Sequence, residues 1–311
     1  MPYDLQPDVL RLELIELGDA FRAYQSNPEP NLALLAGLHD RKAHAFSSWA
    51  DVTGDASLRH EAKRAAGAAR ATRDMHANRL ALRTSDSDGP VVERLLTRNH
   101  AEHARAVLGY VRAHAPYPEP DAHLLVLLLT LRAARDGAGN ITGQDISGWL
   151  PDGAERALEQ LVAAGWLRLP GSAAEALASR PEDFTTFTVP CLLPEQPRPF
   201  SFGKTTRAKI SGWAQKAVGD RKLRKKKLVA TTRLLALYTA AHTRPDGHLG
   251  RPDDDGLALD EVAAFCALTP EKVAEHAALL VDADWLTDAG TGDGRLRGQL
   301  TERVLPLGGL L

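Results

Sequence analysis

The densest group of chemically active side chains in the sequence is a run of lysines and arginines. Residues 204–233 hold eleven Lys and Arg and a single acid, Asp220, and residues 221–227 alone contain six cations. Neighbouring cations repel one another unless they face water or a polyanion. Neutralising the phosphates of a nucleic acid releases its condensed counterions, which favours binding. The spacing therefore predicts a phosphate-binding surface.

The predicted contact residues come from four places: a helix that begins at Lys204, the basic run, the first turns of two other helices and a C-terminal hairpin. They are Lys204, Arg207, Lys209, Lys216, Arg221, Lys222, Arg224, Lys225, Lys226, Lys227, Arg156, Lys272, Arg295 and Arg297. Acidic neighbours such as Glu155 and Glu271 repel phosphates, which argues against base reading by the two helix starts. A solvated helix face, RNA binding and an anionic membrane surface are the alternatives for the lysines. The membrane alternative lacks the large apolar face that such binding requires.

An acidic stretch follows the basic run. Residues 245–294 hold twelve acids against Arg251 and Lys272, although the whole chain carries a net charge of only −2. This separation of charge exceeds what a mixed charged surface gives. It keeps open a competing role, in which the acidic segments dock other proteins.

No motif typical of an enzyme or a metal site occurs. His100 and His103 lie one helical turn apart but lack further ligands, and no His-Glu-x-x-His pattern exists. The Asp-Asp-Asp-Gly at 253–256 lacks the alternating ligand positions of a calcium loop. The Gly-Lys-Thr at 203–205 lacks the upstream glycine of a phosphate loop. We therefore expect no catalytic activity, no metal, no cofactor and no small-molecule substrate.

Composition excludes several classes of protein. Apolar residues make up 44% of the chain, which predicts a globular fold. No run of 18 apolar residues and no signal-peptide pattern occurs, so we expect a cytoplasmic protein without a membrane partner. Two cysteines, Cys191 and Cys266, are too few for a disulfide scaffold. Each is predicted to be a small buried apolar residue.

The elements that must position the basic residues follow one order twice. The first copy is a helix (121–136), a strand at Ile141, two helices (142–149 and 152–164) and two strands (166–169 and 184–189). The second copy is a helix (228–243), a strand at Leu257, two helices (260–268 and 269–283) and a hairpin that leaves from Trp285, turns at Asp293-Gly294 and returns through 295–297. Thr142 and Thr269 are predicted helix caps.

An internal repeat supports this double order. Residues 158–167 align with residues 277–286, six of the ten positions are apolar in both copies, and both segments end in Trp-Leu. The order and the repeat resemble the tandem winged-helix architecture of bacterial transcriptional regulators and plasmid replication initiators. The resemblance implies winged-helix domains over residues 120–190 and 204–311, the second one including the basic helix.

The N-terminal part has a different character. Residues 1–115 contain helical patterns without a catalytic motif, which predicts a helical bundle that makes a homodimer. The predicted fold is therefore mainly α with small β wings: an N-terminal helical bundle followed by two winged-helix domains.

The functional hypothesis is a protein that binds double-stranded DNA. It would act as a transcriptional regulator or as a replication or maintenance factor of a mobile element such as a plasmid. The competing hypothesis is a tandem winged-helix scaffold that docks proteins without reading bases, since winged helices serve both purposes.

Overall fold

The computed structural model describes residues 7–26, 31–84, 94–196, 199–200 and 202–311. The fold is mainly helical with small antiparallel sheets, which confirms the coarse fold class predicted from the sequence. The chain divides into two compact units, Met1–Val91 and Val92–Leu311. Within the described ranges, no helix combines the length and the apolar character that a membrane crossing requires.

Over its described residues, the first unit contains the helices α1 (Pro7–Gln25), α2 (Leu32–Thr53) and α3 (Ala56–Thr84). Asn31 caps α2 by accepting a hydrogen bond from the Leu34 amide, and Gly54 ends it in the left-handed conformation. α3 then folds back along α2. Small side chains such as Ala45 on α2 and Ala69 on α3 are buried, which lets the two backbones approach closely.

The second unit contains the remaining elements. In chain order they are α4 (Arg98–His114), α5 (Pro120–Ala133), β1 (Ala138–Ile141), α6 (Gly143–Trp149), α7 (Ala154–Ala163), α8 (Ala173–Ala178), β2 (Thr185–Thr188), α9 (Lys204–Val218), α10 (Arg221–Lys225), α11 (Ala230–Ala241), β3 (Leu257–Ala258), α12 (Leu259–Cys266), α13 (Pro270–Asp282), β4 (Leu286–Gly292) and β5 (Arg295–Leu300). Short 3-10 helices cover Pro190–Leu192 and Leu305–Leu307.

Helices α4, α5, α9 and α11 pack against one another at the centre of this unit. α5 is buried from Ala122 to Leu131, and α11 is buried along its whole length. One continuous hydrophobic core joins these helices to the elements on either side. α4 belongs to this core through Val107 and Val111, because its apolar face requires the central helices for burial. The N-terminal compact unit thus ends before α4, short of the boundary at 115 that the sequence suggested.

We call α5, β1, α6, α7, α8 and β2 the first module. β1 and β2 are antiparallel, with Ile141 opposite Thr185, and Arg168 forms an isolated bridge on the other side of β2. The predicted cap of α6 is confirmed: Thr142 and Asp145 form a reciprocal capping box. The strand predicted at 166–169 is reduced to that single bridge, and α8 lies in the connection to β2.

We call α11, β3, α12, α13, β4 and β5 the second module. Its three strands are antiparallel in the order β3-β5-β4. Asp293 and Gly294 have φ values of 51° and 69°, the positive values that a tight two-residue hairpin turn requires, so the turn predicted there is confirmed. Thr269 occupies the N-cap position of α13, but its side chain makes no capping hydrogen bond there; Pro270 starts the helix.

The internal repeat corresponds to one backbone geometry used twice. After α7, Gly165 takes a φ of 67°, and the Trp166 amide donates to the Leu161 carbonyl at 3.1 Å. After α13, the residue in the left-handed conformation is an aspartate at φ 54°, and the Trp285 amide donates to the carbonyl five residues back at 2.8 Å. Both tryptophans are buried. The repeat therefore encodes a helix end that turns a tryptophan into the core.

The two cysteines differ from each other. Cys266 is fully buried in α12, as predicted. Cys191 is exposed, so its predicted burial is wrong. It lies in the short 3-10 helix after β2, where the Tyr110 hydroxyl donates to its sulfur at 3.7 Å.

Candidate polyanion-binding surface

The apolar side of α9 packs into the core, and the remaining sides of the helix carry its cations. Trp213 is buried, and its indole N–H donates to the Leu307 carbonyl at 2.7 Å. Lys209 and Lys216 lie two helical turns apart on one exposed side. Lys204 is exposed at the first turn. The helix predicted from Lys204 onward is confirmed, and packing fixes which way its cations point.

The basic run 221–227 folds as the short helix α10 and a turn. Asp220 caps α10 by accepting hydrogen bonds from the Lys222 and Leu223 amides, and the Leu223 side chain is buried. Lys227 then turns the chain with a φ of 52°. The run is therefore held at both ends, while its cationic side chains remain on the outside.

Two of the lysines in the run are paired within the chain. Lys222 forms an ion pair with Asp284, and Lys226 forms one with Asp282. Hydrogen bonds from Lys222, followed by the lysine charge and by Arg303, lower the pKa of Asp284. The acids come from the end of α13 and the turn after it, so part of the acidic stretch neutralises part of the basic run.

The other cations of the run and of α9 have no ion pair within the described residues. We call these eight side chains the open cations: Lys204, Arg207, Lys209, Lys216, Arg221, Arg224, Lys225 and Lys227. Seven are exposed, and Arg207 is half-buried. They form the largest group of candidate residues that the structure leaves available for an anion.

Arg207 opens onto a cleft beside α9. The cleft has a volume of about 510 Å³ and is lined by the end of α5, by β1, by Thr186 of β2 and by α9. Arg132 and Arg135 also line it. Arg132 is engaged already, since it donates to both oxygens of Asp145 at 2.7 and 2.8 Å. Burial opposes ionisation of Asp145, but the hydrogen bonds and charge of Arg132 outweigh it and lower the pKa of that carboxyl.

Arg233 belongs to the basic segment of the sequence, but its side chain is buried and bonds backbone carbonyls instead of facing solvent. It is only 2% exposed on α11 and donates to the carbonyls of Leu228, Gly148 and Trp149, each at 2.9 Å. Burial, and then the charge of Arg224, lower its pKa. Two of its acceptors lie at the C-terminal end of α6, where a cation is favourable. Arg233 thus ties the turn after the basic run to the first module.

The candidate residues outside the basic segment lie on three further elements. Arg156 of α7 and Lys272 of α13 are exposed and have no ion pair in the described part of the chain. Arg295 of β5 contacts Asp254 at 3.3 Å. Arg297 bonds Asp255 at 2.9 Å and Asp293 at 3.2 Å, and these partners raise its pKa. Neighbouring aspartates therefore neutralise the hairpin arginines. The sequence did not reveal these pairs, because the partners lie up to 42 residues apart along the chain.

The histidine and aspartate patterns have ordinary structural surroundings. The Thr97 hydroxyl lies 2.9 Å from the Nδ1 atom of His100, and the His103 ring packs edge-on against Phe202. The aspartates at 254 and 255 are partners of the hairpin arginines. Among the described residues, no group of three or more His, Cys, Asp or Glu is placed to hold a metal ion.

No protein-family model matches the chain, and neither a curated protein nor a solved structure matches it.

Proposed function

We propose that the chain is a double-stranded-DNA-binding protein and that the open cations hold the phosphates. The observation that carries this proposal is their combination of number, exposure and anchoring. Eight cations on two adjoining helices and one turn have no ion pair within the described residues, while Trp213, Asp220 and Leu223 fix the backbone beneath them. A fixed array loses less conformational entropy on binding than eight side chains on a free loop do.

The order of elements supports a winged-helix interpretation of both modules. In each one, a buried helix is followed by a short strand, two helices and antiparallel β structure, with α8 added before β2 in the first module, and the first strand pairs with the last strand. In winged-helix proteins the second helix of the helix-turn-helix approaches the major groove. By this analogy of pattern, α7 and α13 are the helices closest to the bases.

Backbone contact, rather than base reading, is the stronger part of the proposal. α7 exposes Glu155 and Glu159, and α13 exposes Glu271 and Glu275, beside a single cation in each case. Carboxylates at the start of a helix that faces a groove are repelled by the phosphates of the DNA. We therefore assign most of the affinity to phosphates and expect it to depend strongly on salt. The biological role that fits is a regulator or a replication or maintenance factor of a mobile element.

A salt titration tests this assignment. Replacing Arg221, Arg224, Lys225 and Lys227 with glutamine should reduce the slope of log affinity against log salt by about 3 to 4, because each lost phosphate contact removes about 0.9. At intermediate salt the affinity for duplex DNA should fall at least about tenfold. Fluorescence anisotropy with a labelled duplex gives both quantities.

The matched control removes four exposed arginines from other surfaces, Arg11, Arg22, Arg98 and Arg180, and so changes the net charge equally. It should keep the wild-type slope. Failure of the wild-type chain to bind mixed genomic duplex fragments at low salt contradicts the proposal. Tighter binding to structured RNA than to duplex DNA at the same salt replaces DNA with RNA as the partner.

Protein docking is the second candidate function, and one observation favours it. Leu279 and Val281 on α13, and Val162 on α7, are exposed large apolar side chains near acids. Such helices could present a mixed apolar and acidic face to another protein. Replacing Leu279 and Val281 with serine leaves DNA affinity unchanged if these positions dock a protein, and weakens it if α13 enters a groove.

We also propose that the first unit makes a homodimer, which would match a two-fold DNA site. Leu12 and Ile15 on α1 and Leu34 on α2 are 59%, 57% and 49% exposed. These side chains have no covering group in the described part of the chain. Sedimentation velocity should find a dimer that Leu12→Gln with Ile15→Gln converts to a monomer; a monomeric wild-type chain contradicts this part of the proposal.

A further inference from the structure

α3 carries a row of cations outside the basic segment 204–233. The helix has seven Lys and Arg and two acids over its 29 residues. Among its described side chains, Arg59, Lys63 and Arg70 are exposed and have no ion pair within the described residues. Arg73 lies further along and bonds both oxygens of Asp40, at 2.8 and 3.3 Å.

Helical geometry places these cations on one side of α3. At 100° per residue, Arg59, Lys63 and Arg70 fall within a sector of about 40°. The rise of the helix separates the first two by about 6 Å and the last two by about 10 Å along the axis. We call these three residues the α3 row.

The described side chains of α3 do not neutralise the row. Ala65 and Ala69 are buried on the side of the helix that packs against α2. Glu61 lies on a different side and is paired with Arg64 at 2.7 Å. Ala66 lies about 20° outside the sector of the row and is too small to hold a ligand away from the helix. The row is therefore a narrow positive strip on an otherwise small-residue surface.

We propose that the α3 row is a second phosphate-binding surface, so that the chain holds duplex nucleic acid with both of its units. This inference rests on the proposed function. Duplex DNA carries one negative charge for about every 1.7 Å of helix axis, so a row of cations about 17 Å long faces a densely charged surface. Arginine also offers a bidentate contact to a phosphate. An anionic membrane is disfavoured, because α3 has no large exposed apolar side chain among those described.

Two separate phosphate-binding surfaces on one chain act together. Once the open cations hold DNA, the α3 row meets the same molecule at a raised effective concentration. Removing either surface should then cost more affinity than its few contacts suggest, and the salt dependence should fall by the number of phosphates that the lost surface held.

The test compares two triple variants of the full chain. The first changes Arg59, Lys63 and Arg70 to glutamine. The control changes Arg11, Arg22 and Arg64 to glutamine, which removes the same charge from the same unit but from other surfaces. The α3 variant should bind a long duplex about tenfold more weakly, with a salt slope lower by about 2 to 3, while the control stays within about twofold of the wild type.

Each other outcome overturns the inference. Equal weakening by both variants shows that only the total charge matters. A wild-type affinity and slope in the α3 variant, with weakened binding when the open cations are removed, sinks the α3 row and leaves the proposed function standing. A wild-type chain that does not bind duplex DNA sinks both. Binding to phosphatidylserine vesicles that depends on the α3 row, without any effect of the row on DNA, makes the row a membrane contact.

Discussion

Helices α5 and α11 occupy the same place in the two modules, and both are buried. They differ in whether their buried polar side chains have hydrogen-bond partners. On α5, the Nε2 atom of His123 and the hydroxyl of Thr130 are buried without a hydrogen-bond partner. On α11, Thr232 bonds His276 at 2.8 Å, and Thr239 accepts a hydrogen bond from the Trp285 indole at 3.2 Å. Between Ala122 and Leu131, α5 is therefore held by apolar packing, and its side-chain hydrogen bonds lie at its C-terminal end through Arg132, whereas α11 is held by packing together with polar contacts along its length.

This difference follows from the role of each helix in the core. α5 contributes mostly leucines, whose burial needs no partner. α11 has to fix the basic run on one side and α13 on the other, and directional hydrogen bonds specify those positions. Polar contacts thus help to fix the orientation of α11 beside the basic run.

Breaking the contact of Arg233 should have the largest effect on stability. Arg233→Met keeps a long side chain but leaves three carbonyls without their donor, two of them in buried residues, so we expect a loss of about 3 kcal/mol in the free energy of unfolding. Urea denaturation followed by circular dichroism measures it. Arg224→Met, at an exposed position nearby, is the control and should stay within about 0.5 kcal/mol of the wild type. A wild-type midpoint for Arg233→Met contradicts the assigned role.

Sequence reasoning reached the parts of this fold that depend on neighbouring residues. The helix cap at Thr142, the Asp293-Gly294 turn and the two Trp-Leu helix ends each rest on contacts within about five residues, and all are confirmed. The positions of the basic residues along α9 followed from helical spacing in the same way.

What the sequence did not reveal depends on residues distant along the chain. Lys226 and Asp282 are 56 positions apart, and Arg233 and Gly148 are 85 positions apart. No periodicity links such pairs, because tertiary packing brings them together. The sequence therefore located the candidate surface but did not distinguish its open cations from its paired ones, or from the buried Arg233.

His123 makes the stability of the fold depend on pH. Burial lowers its pKa to about 4, whereas an unfolded histidine titrates near about 6.5. The unfolded state binds the proton more readily than the folded state does. The contribution of neutral His123 to the free energy of unfolding is therefore fully present above about pH 6.5 and is lost as the pH drops toward 4. This one group should cost at most about 3 kcal/mol over that range. His123→Leu should flatten the fall, measured as urea midpoints from pH 7 to 4; an unchanged pH profile contradicts the argument.

The smallest expected effect comes from the same substitution, threonine to valine, made once on each helix. It compares α5 and α11 most directly. Thr239→Val removes the acceptor of the Trp285 indole N–H and should destabilise the fold by about 1 to 2 kcal/mol. Thr130→Val removes a buried hydroxyl without a partner and replaces it with a methyl of similar size, so it should leave stability unchanged or raise it by up to about 1 kcal/mol. Thermal unfolding of the two variants beside the wild type measures both. Equal destabilisation by the two changes would mean that the Thr130 hydroxyl is satisfied in solution, and the contrast between α5 and α11 would then lie in their apolar packing alone.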